Sequence, residues 1–272
     1  MAGPRRSRSP VSGDPIVSLA ADGDGILTRL IGAVDVFGRA ALPPWALVGG
    51  LAVMVRLAEA HRVTADVDTV ADDDAGQVAP ALAVLAREQH GTATGSRFVL
   101  EDGTKVDIIT TGSWTVADLP DDELDRAFIL SHWWAVATGE ALELRVIDRD
   151  RIMATASTPV ATPAALVACK LQSCRRRQRD PAKAASDIYD IYRLLVEHDR
   201  NGAVAAALAS SPEDLGAWCA GALRTTFVTD AVRSARRLNV SARGPVMGRV
   251  SPVDLDVVGS LCIDRLGEEL ER

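Results

Sequence analysis

The chain has few aromatic residues: Phe, Trp and Tyr together supply 4% of its 272 positions. Its interior must therefore be built from Leu, Val, Ile and Ala, and 47% hydrophobic against 25% charged residues is the balance of a globular protein. Cysteine is scarce as well. Cys169, Cys174, Cys219 and Cys262 form no CxxC pair and follow no secretory signal, which argues against a disulfide framework or a structural zinc site. His61, His90, His132 and His198 have no ligand spacing. No apolar run reaches the ~18 residues that a membrane span requires, so a cytoplasmic protein without a membrane partner is expected. Positive charge is in deficit, 30 Lys and Arg against 37 Asp and Glu, a formal charge of −7. Such a chain does not coat nucleic acid through its overall field, and any contact with a polyanion must be local.

Residues 1–15 mix Arg, Ser, Pro and Gly with little to bury, and read as a disordered leader. From Asp24 to Ala40 apolar residues recur at helical spacing until Pro43-Pro44. Trp45 to Val48 is a short apolar run, and Gly49-Gly50 separates it from the helical pattern of Leu51 to His61. Val63 to Val70 alternates with the period of a strand. A helix is expected over 76–89, and Asp102-Gly103 marks a hairpin between 97–101 and 105–110. A helix over 121–135 and strands at 141–147 and near Met153 follow. Beyond Pro159 and Pro163 the pattern is almost wholly helical: 163–177, 183–198, 202–209, 212–238 with breaks, and 253–271. The fold class is α+β, a mixed sheet with flanking helices over residues 16–157 followed by a helical domain over 158–272.

Side chains two apart on a strand share a face, so Asp66 and Asp68 lie side by side. Paired carboxylates repel unless a cation sits between them, and Mg²⁺ takes one or two carboxylates together with substrate phosphates. A solvated strand end would also tolerate the pair. Asp107, within Val106-Asp107-Ile108-Ile109, is a carboxylate in an apolar strand and needs a partner. If its strand neighbours that of Asp66 and Asp68, three carboxylates converge on a metal site. The Gly49-Gly50 turn lets phosphate approach a helix N-terminus, although a strand-to-helix turn needs glycine for geometry alone. Arg175-Arg176-Arg177-Gln178-Arg179 is the one dense basic run, with Lys183 beyond. Arg175 and Arg179 are one turn apart, which suits either a nucleic-acid backbone or a solvated helix end.

In order along the chain, Gly49-Gly50, eleven residues, Arg62-Val-Thr64-Ala-Asp66-Val-Asp68, the strand with Asp107, Lys170, and Asp187-Ile-Tyr-Asp190-Ile-Tyr resemble the signature of the AbiEii/MenT-type nucleotidyltransferases. These are toxin components of toxin–antitoxin and abortive-infection systems. The resemblance implies a nucleotidyltransferase-type fold whose helical domain completes the active-site cleft. It implies Mg²⁺ on Asp66, Asp68 and Asp107, and an NTP bound by Gly49, Gly50, Arg62, Thr64 and Lys170. It further implies catalytic roles for Lys170 and Asp187; Arg175 and Arg179 of the basic run, if not a solvated helix end, would meet an RNA acceptor. The acceptor would be the tRNA 3′ end, and the partner a cognate antitoxin. Gly50 stands where the family often has Ser, and the long interval from Lys170 leaves Asp187 and Asp190 as alternatives for one carboxylate role. Transfer to a small molecule or a protein, or binding without catalysis on the same fold, are the competing readings.

Overall fold

A computed structural model describes residues 15–40, 42–177, 180–241 and 249–272. An eight-stranded mixed sheet is the frame. Its strands are β1 (Ile16–Ala20), β2 (Trp45–Val48), β3 (Asp66–Asp72), β4 (Thr92–Thr94), β5 (Arg97–Val99), β6 (Lys105–Thr111), β7 (Glu140–Asp148) and β8 (Arg151–Val160), in the spatial order β1-β7-β8-β2-β3-β6-β5-β4. Three neighbours pair in parallel, β1 with β7, β2 with β8 and β3 with β6; the other pairs are antiparallel.

The helices of the first half are α1 (Ile26–Gly38), α2 (Gly49–Leu57), α3 (Val78–Glu88) and α4 (Glu123–Ala137). From Pro163 onward the described residues are helical: α5 (Pro163–Arg176), α6 (Pro181–His198), α7 (Ala203–Ala209), α8 (Leu215–Leu223), α9 (Ala231–Ser241) and α10 (Pro252–Leu270). Proline opens α5, α6 and α10, behind Thr162, Asp180 and Ser251, whose side chains cap the first free N–H groups. A missing N–H costs nothing at the first helical position, so these prolines start helices rather than break them. β8 runs on to Val160, and buried side chains of the sheet half and the helical half form one continuous apolar cluster.

Two strands escape the sequence patterns. β1 buries only Leu19 among its five residues, and β4 has three residues, so neither carries a full alternation. The leader expected over 1–15 lies outside the described residues up to 14; Pro15 already belongs to the sheet edge, its carbonyl accepting from the Glu143 N–H at 3.1 Å. The broken helical stretch at 212–238 resolves into α8, a π-helical turn over Arg224–Thr229, and α9. That turn carries the fully buried Phe227 against Gly259 of α10, where an added Cβ would stand 2.5 Å from the Phe227 Cβ.

His132 is buried within α4, its Nδ1–H donating to the Phe128 carbonyl at 2.7 Å. Burial holds its pKa down at about 4, a pull that the Phe128 bond only partly offsets. The unfolded chain takes up this proton near pH 6.5, so stability present above that pH is lost as the pH falls toward 4. The loss should amount to roughly 3 kcal/mol, at ~1.4 kcal/mol per pH unit. Urea unfolding at pH 7 and pH 4.5 checks this, and His132→Gln should flatten the dependence over that interval.

Candidate active site

The register of four strands brings the acidic residues together. Val48 of β2 lies opposite Asp68 of β3, Asp68 opposite Asp107 of β6, and Asp107 opposite Arg97 of β5. Cross-strand partners present side chains on the same face, so Asp68, Asp107 and Arg97 form one rung across the sheet. Asp66 joins from two positions earlier on β3. Asp66, Asp68 and Asp107 each offer a carboxylate oxygen within 4.8 Å of the others, all half-buried, an arrangement able to hold a metal ion. Burial first, then the charge of Asp66 and more weakly that of Asp107, raises the Asp68 pKa, while Lys170 and Arg177 oppose the rise. A carboxylate cluster that its own repulsion keeps partly uncompensated fits a divalent cation.

Asp107 is less buried than its apolar strand suggests, since its side chain is 27% exposed, and its partner is a cation on the neighbouring strand. Arg97 grips it with both Nε and Nη2, the latter at 2.8 Å. A fork-to-carboxylate pair of this kind fixes the orientation of both groups.

The two glycines leave room for these charges. Gly49 has φ +69°, a conformation that L side chains rarely adopt, and a Cβ there would lie 2.0 Å from Asp68 Oδ2. A Cβ on Gly50 would lie 2.3 Å from Arg62 Nη2. Both glycines belong to the first turn of α2, which therefore begins two residues earlier than the sequence pattern suggests. Its free N–H groups stand beside the triad.

Behind the triad lies a buried ionic network. Asp190, fully buried on α6, accepts from His61 Nε2 at 2.8 Å and from Arg62 Nε and Nη2 at 2.8 Å each. Its Oδ2 is also 2.8 Å from Lys170 Nζ. One turn earlier, Asp187 accepts from Lys170 Nζ at 2.8 Å and from Arg177 Nη1 at 3.1 Å. Burial alone would raise the Asp190 pKa; Lys170, His61 and Arg62 reverse this and hold it well below the carboxylate range. Burial likewise works against the charge on Lys170, and Asp190 and Asp187 overcome it, so the ammonium persists. Thr64 is buried, its hydroxyl 3.5 Å from the Asp66 carbonyl.

Asp187 and Asp190, hard to separate in the sequence, thus hold different positions. Asp190 ties α6 to the loop before β3, and Asp187 ties α5 to its own C-terminal end. Of the basic run, Arg176 pairs with Asp125 at 2.5 Å and Arg177 with Asp187. Arg175 lines a groove shared with Glu123 and Asp214, and Arg179 lies outside the described residues. The Cys174 thiol, pushed up to about 12 by burial and then by Asp187, also feels the opposing fields of Arg237, Arg175 and Arg177. Arg237 of α9 is thus near enough to act on the Cys174 thiol. His61, Arg97 and Arg237 were not singled out in the sequence as site residues. His61 directly precedes the Arg62-Val-Thr64 segment, but nothing local marks the other two.

A family model described as nucleotidyl transferase AbiEii toxin, Type IV TA system, matches residues 39–235, which include every charged group described above except Arg237. No curated protein matches the chain. Among the described residues no helix is long and apolar enough to cross a membrane.

Removing one member of a buried ion pair leaves its partners uncompensated. Asp190→Asn should therefore destabilise the fold by on the order of 3 kcal/mol in urea unfolding at neutral pH. The folded Asp190 pKa is depressed, so its contribution is present above the unfolded value of ~3.9 and is lost as the pH falls below it. The gap between the variant and its parent should accordingly narrow in strong acid. A neutral-pH loss below about 1 kcal/mol, as for an exposed pair, would contradict this assignment.

Proposed function

The chain belongs to the AbiEii nucleotidyl transferase toxin family and is a nucleotidyltransferase, and on that premise we propose that it moves NMP from Mg²⁺-bound NTP to the 3′ end of tRNA. The family's description as the toxin of a Type IV system also implies a nucleotide substrate and a cognate antitoxin. The observation that carries the reading is the rung that sets Asp68 beside Asp107, with Asp66 adjacent, at the N-terminus of α2.

Asp66, Asp68 and Asp107 would hold the metal. Bound there, a divalent ion supplies positive charge to the triphosphate and polarises a phosphoryl oxygen. The backbone N–H groups of Gly49 and Gly50, in the first turn of α2, would donate to phosphate oxygens, as helix N-termini do. Lys170 contributes a buried positive charge whose field reaches Asp68. Arg62 and Thr64 support the segment that leads into β3, and Asp187 orients Lys170 and Arg177. Arg175, with Arg179, would face the acceptor, which in a chain of charge −7 requires a local cationic surface.

Incubation with each α-labelled NTP, Mg²⁺, total RNA, a metabolite extract and soluble protein tests the acceptor. Label should enter RNA of tRNA size and be lost on 3′ exonuclease treatment. Label confined to small molecules or protein would favour the corresponding acceptor, and nucleotide binding without transfer would favour a binding module. Asp68→Asn should lower transfer at least ~100-fold, because several kcal/mol of charge stabilisation depend on the metal. Its thermal midpoint should be unchanged or raised, since the substitution removes a charge that its neighbours repel. Near-normal turnover in that variant would end the metal-site assignment.

A further inference from the structure

Arg97 has no part in the motifs discussed so far, yet among the described residues it is the only cation hydrogen-bonded to a triad carboxylate. Its position is set by the backbone, directly across the β5–β6 ladder from Asp107. Its own side chain is 48% exposed, and it borders a cavity of about 470 Å³ lined also by Thr94, Ser96, Asp107, Ile108 and Ile109. Both Asp107 oxygens accept from the guanidinium, so a metal ion arriving at this carboxylate meets a cation already bound to it. Lys170, Arg177 and Arg62, which also interact with Asp68 through charge, are bonded to Asp187 and Asp190 instead.

We propose that Arg97 is an exchangeable countercation of the triad: it covers Asp107 while the metal is absent, yields that carboxylate to the divalent ion, and then pairs with the triphosphate of the incoming nucleotide. The proposal rests on the metal-site reading above. Two features make the exchange feasible. About half of the Arg97 side chain is open to solvent, which screens the pair, so a divalent ion coordinated by three carboxylates can displace it. The guanidinium, once released, stays anchored by β5 on the triad's own face, beside an open cavity, and its planar fork suits phosphate as well as carboxylate.

The test is Mn²⁺ binding followed by electron paramagnetic resonance, without nucleotide, in the full chain. Arg97→Gln should bind Mn²⁺ roughly three- to tenfold more tightly than the parent, because both a competitor and a like charge are gone. With saturating Mn²⁺ the same variant should bind a non-hydrolysable fluorescent NTP about tenfold more weakly, the scale of one lost charge-assisted phosphate contact. Arg97→Lys, which keeps the charge but not the fork, should fall between parent and Arg97→Gln in both measurements and guards against a misfolded Gln variant. Asp68→Asn separates the two levels. If the parent binds Mn²⁺, Asp68→Asn does not, and Arg97→Gln binds it no more tightly than the parent, the exchange is refuted and the metal site stands. If Asp68→Asn binds Mn²⁺ like the parent, the metal-site reading falls and the exchange with it.

Discussion

Asp190 is the constraint on which the site depends. α5 is buried along most of its length, and Lys170 sits in its middle, where an unpaired ammonium would be expelled or neutralised. Asp190 and Asp187 on α6 provide the compensating charge. Asp190 also receives His61 and Arg62, which belong to the segment between α2 and β3. One carboxylate thus joins two helices of the C-terminal half to the loop that feeds the acidic strand. The position of Arg62 in turn requires Gly50, and that of Asp68 requires Gly49, because a Cβ at either would occupy the space these side chains fill. The glycine pair and the Asp187/Asp190 pair, far apart in the chain, are two ends of one packing problem.

Much of this was legible in the sequence, wherever a local pattern carried it. β2 is found residue for residue, and the Asp66/Asp68 alternation, the Asp102-Gly103 turn and the helices opened by Pro163 and Pro252 lie within a few residues of expectation. The partner of Asp107 was not legible, and the reason is a single residue of register. A two-residue Asp102-Gly103 turn would set Arg97 across from Ile108 and turn it to the opposite face from Asp107. The loop instead spans residues 101–103: Leu100 N–H donates to the Thr104 carbonyl at 2.9 Å, and Gly103 takes φ +84°. That extra residue places Arg97 opposite Asp107. His61 escaped for a different reason, since its partner is 129 positions away and no periodicity reports such a contact.

Net charge is a poor guide to the field inside this cleft. The chain carries −7, and three carboxylates crowd together, two of them on one rung of the sheet, yet the surrounding groups are cations: Arg97 in contact, and Lys170 and Arg177 near enough to oppose the rise in the Asp68 pKa. Two of these cations are themselves committed to carboxylates of α6. Arg62, paired with Asp190, also feels the charge of Asp68. Opposite charges in contact hold these ionised groups in a largely buried region. Of the triad, Asp107 borders the cavity beside Arg97.

Lys170 shows how far geometry constrains the role that family resemblance implies for it. An ammonium has three N–H donors, and carboxylate oxygens of Asp187 and Asp190 stand 2.8 Å from this one. A lysine that swung out to grip phosphates would abandon both, stranding two buried anions, at a cost of several kcal/mol for each broken pair. Held where it is, the residue retains one donor direction and a field that reaches Asp68 through a buried region, where charges interact more strongly than in water. For the proposed transfer, the economical mode of action would therefore be electrostatic and short-range, with Lys170 held on α5 and the phosphates brought to it. The same argument separates it from Arg97, whose exposed pair can open cheaply. On the proposed exchange, a fixed cation behind the triad and a releasable one beside it would be complementary parts, the first maintaining the field before substrate arrives and the second free to follow it.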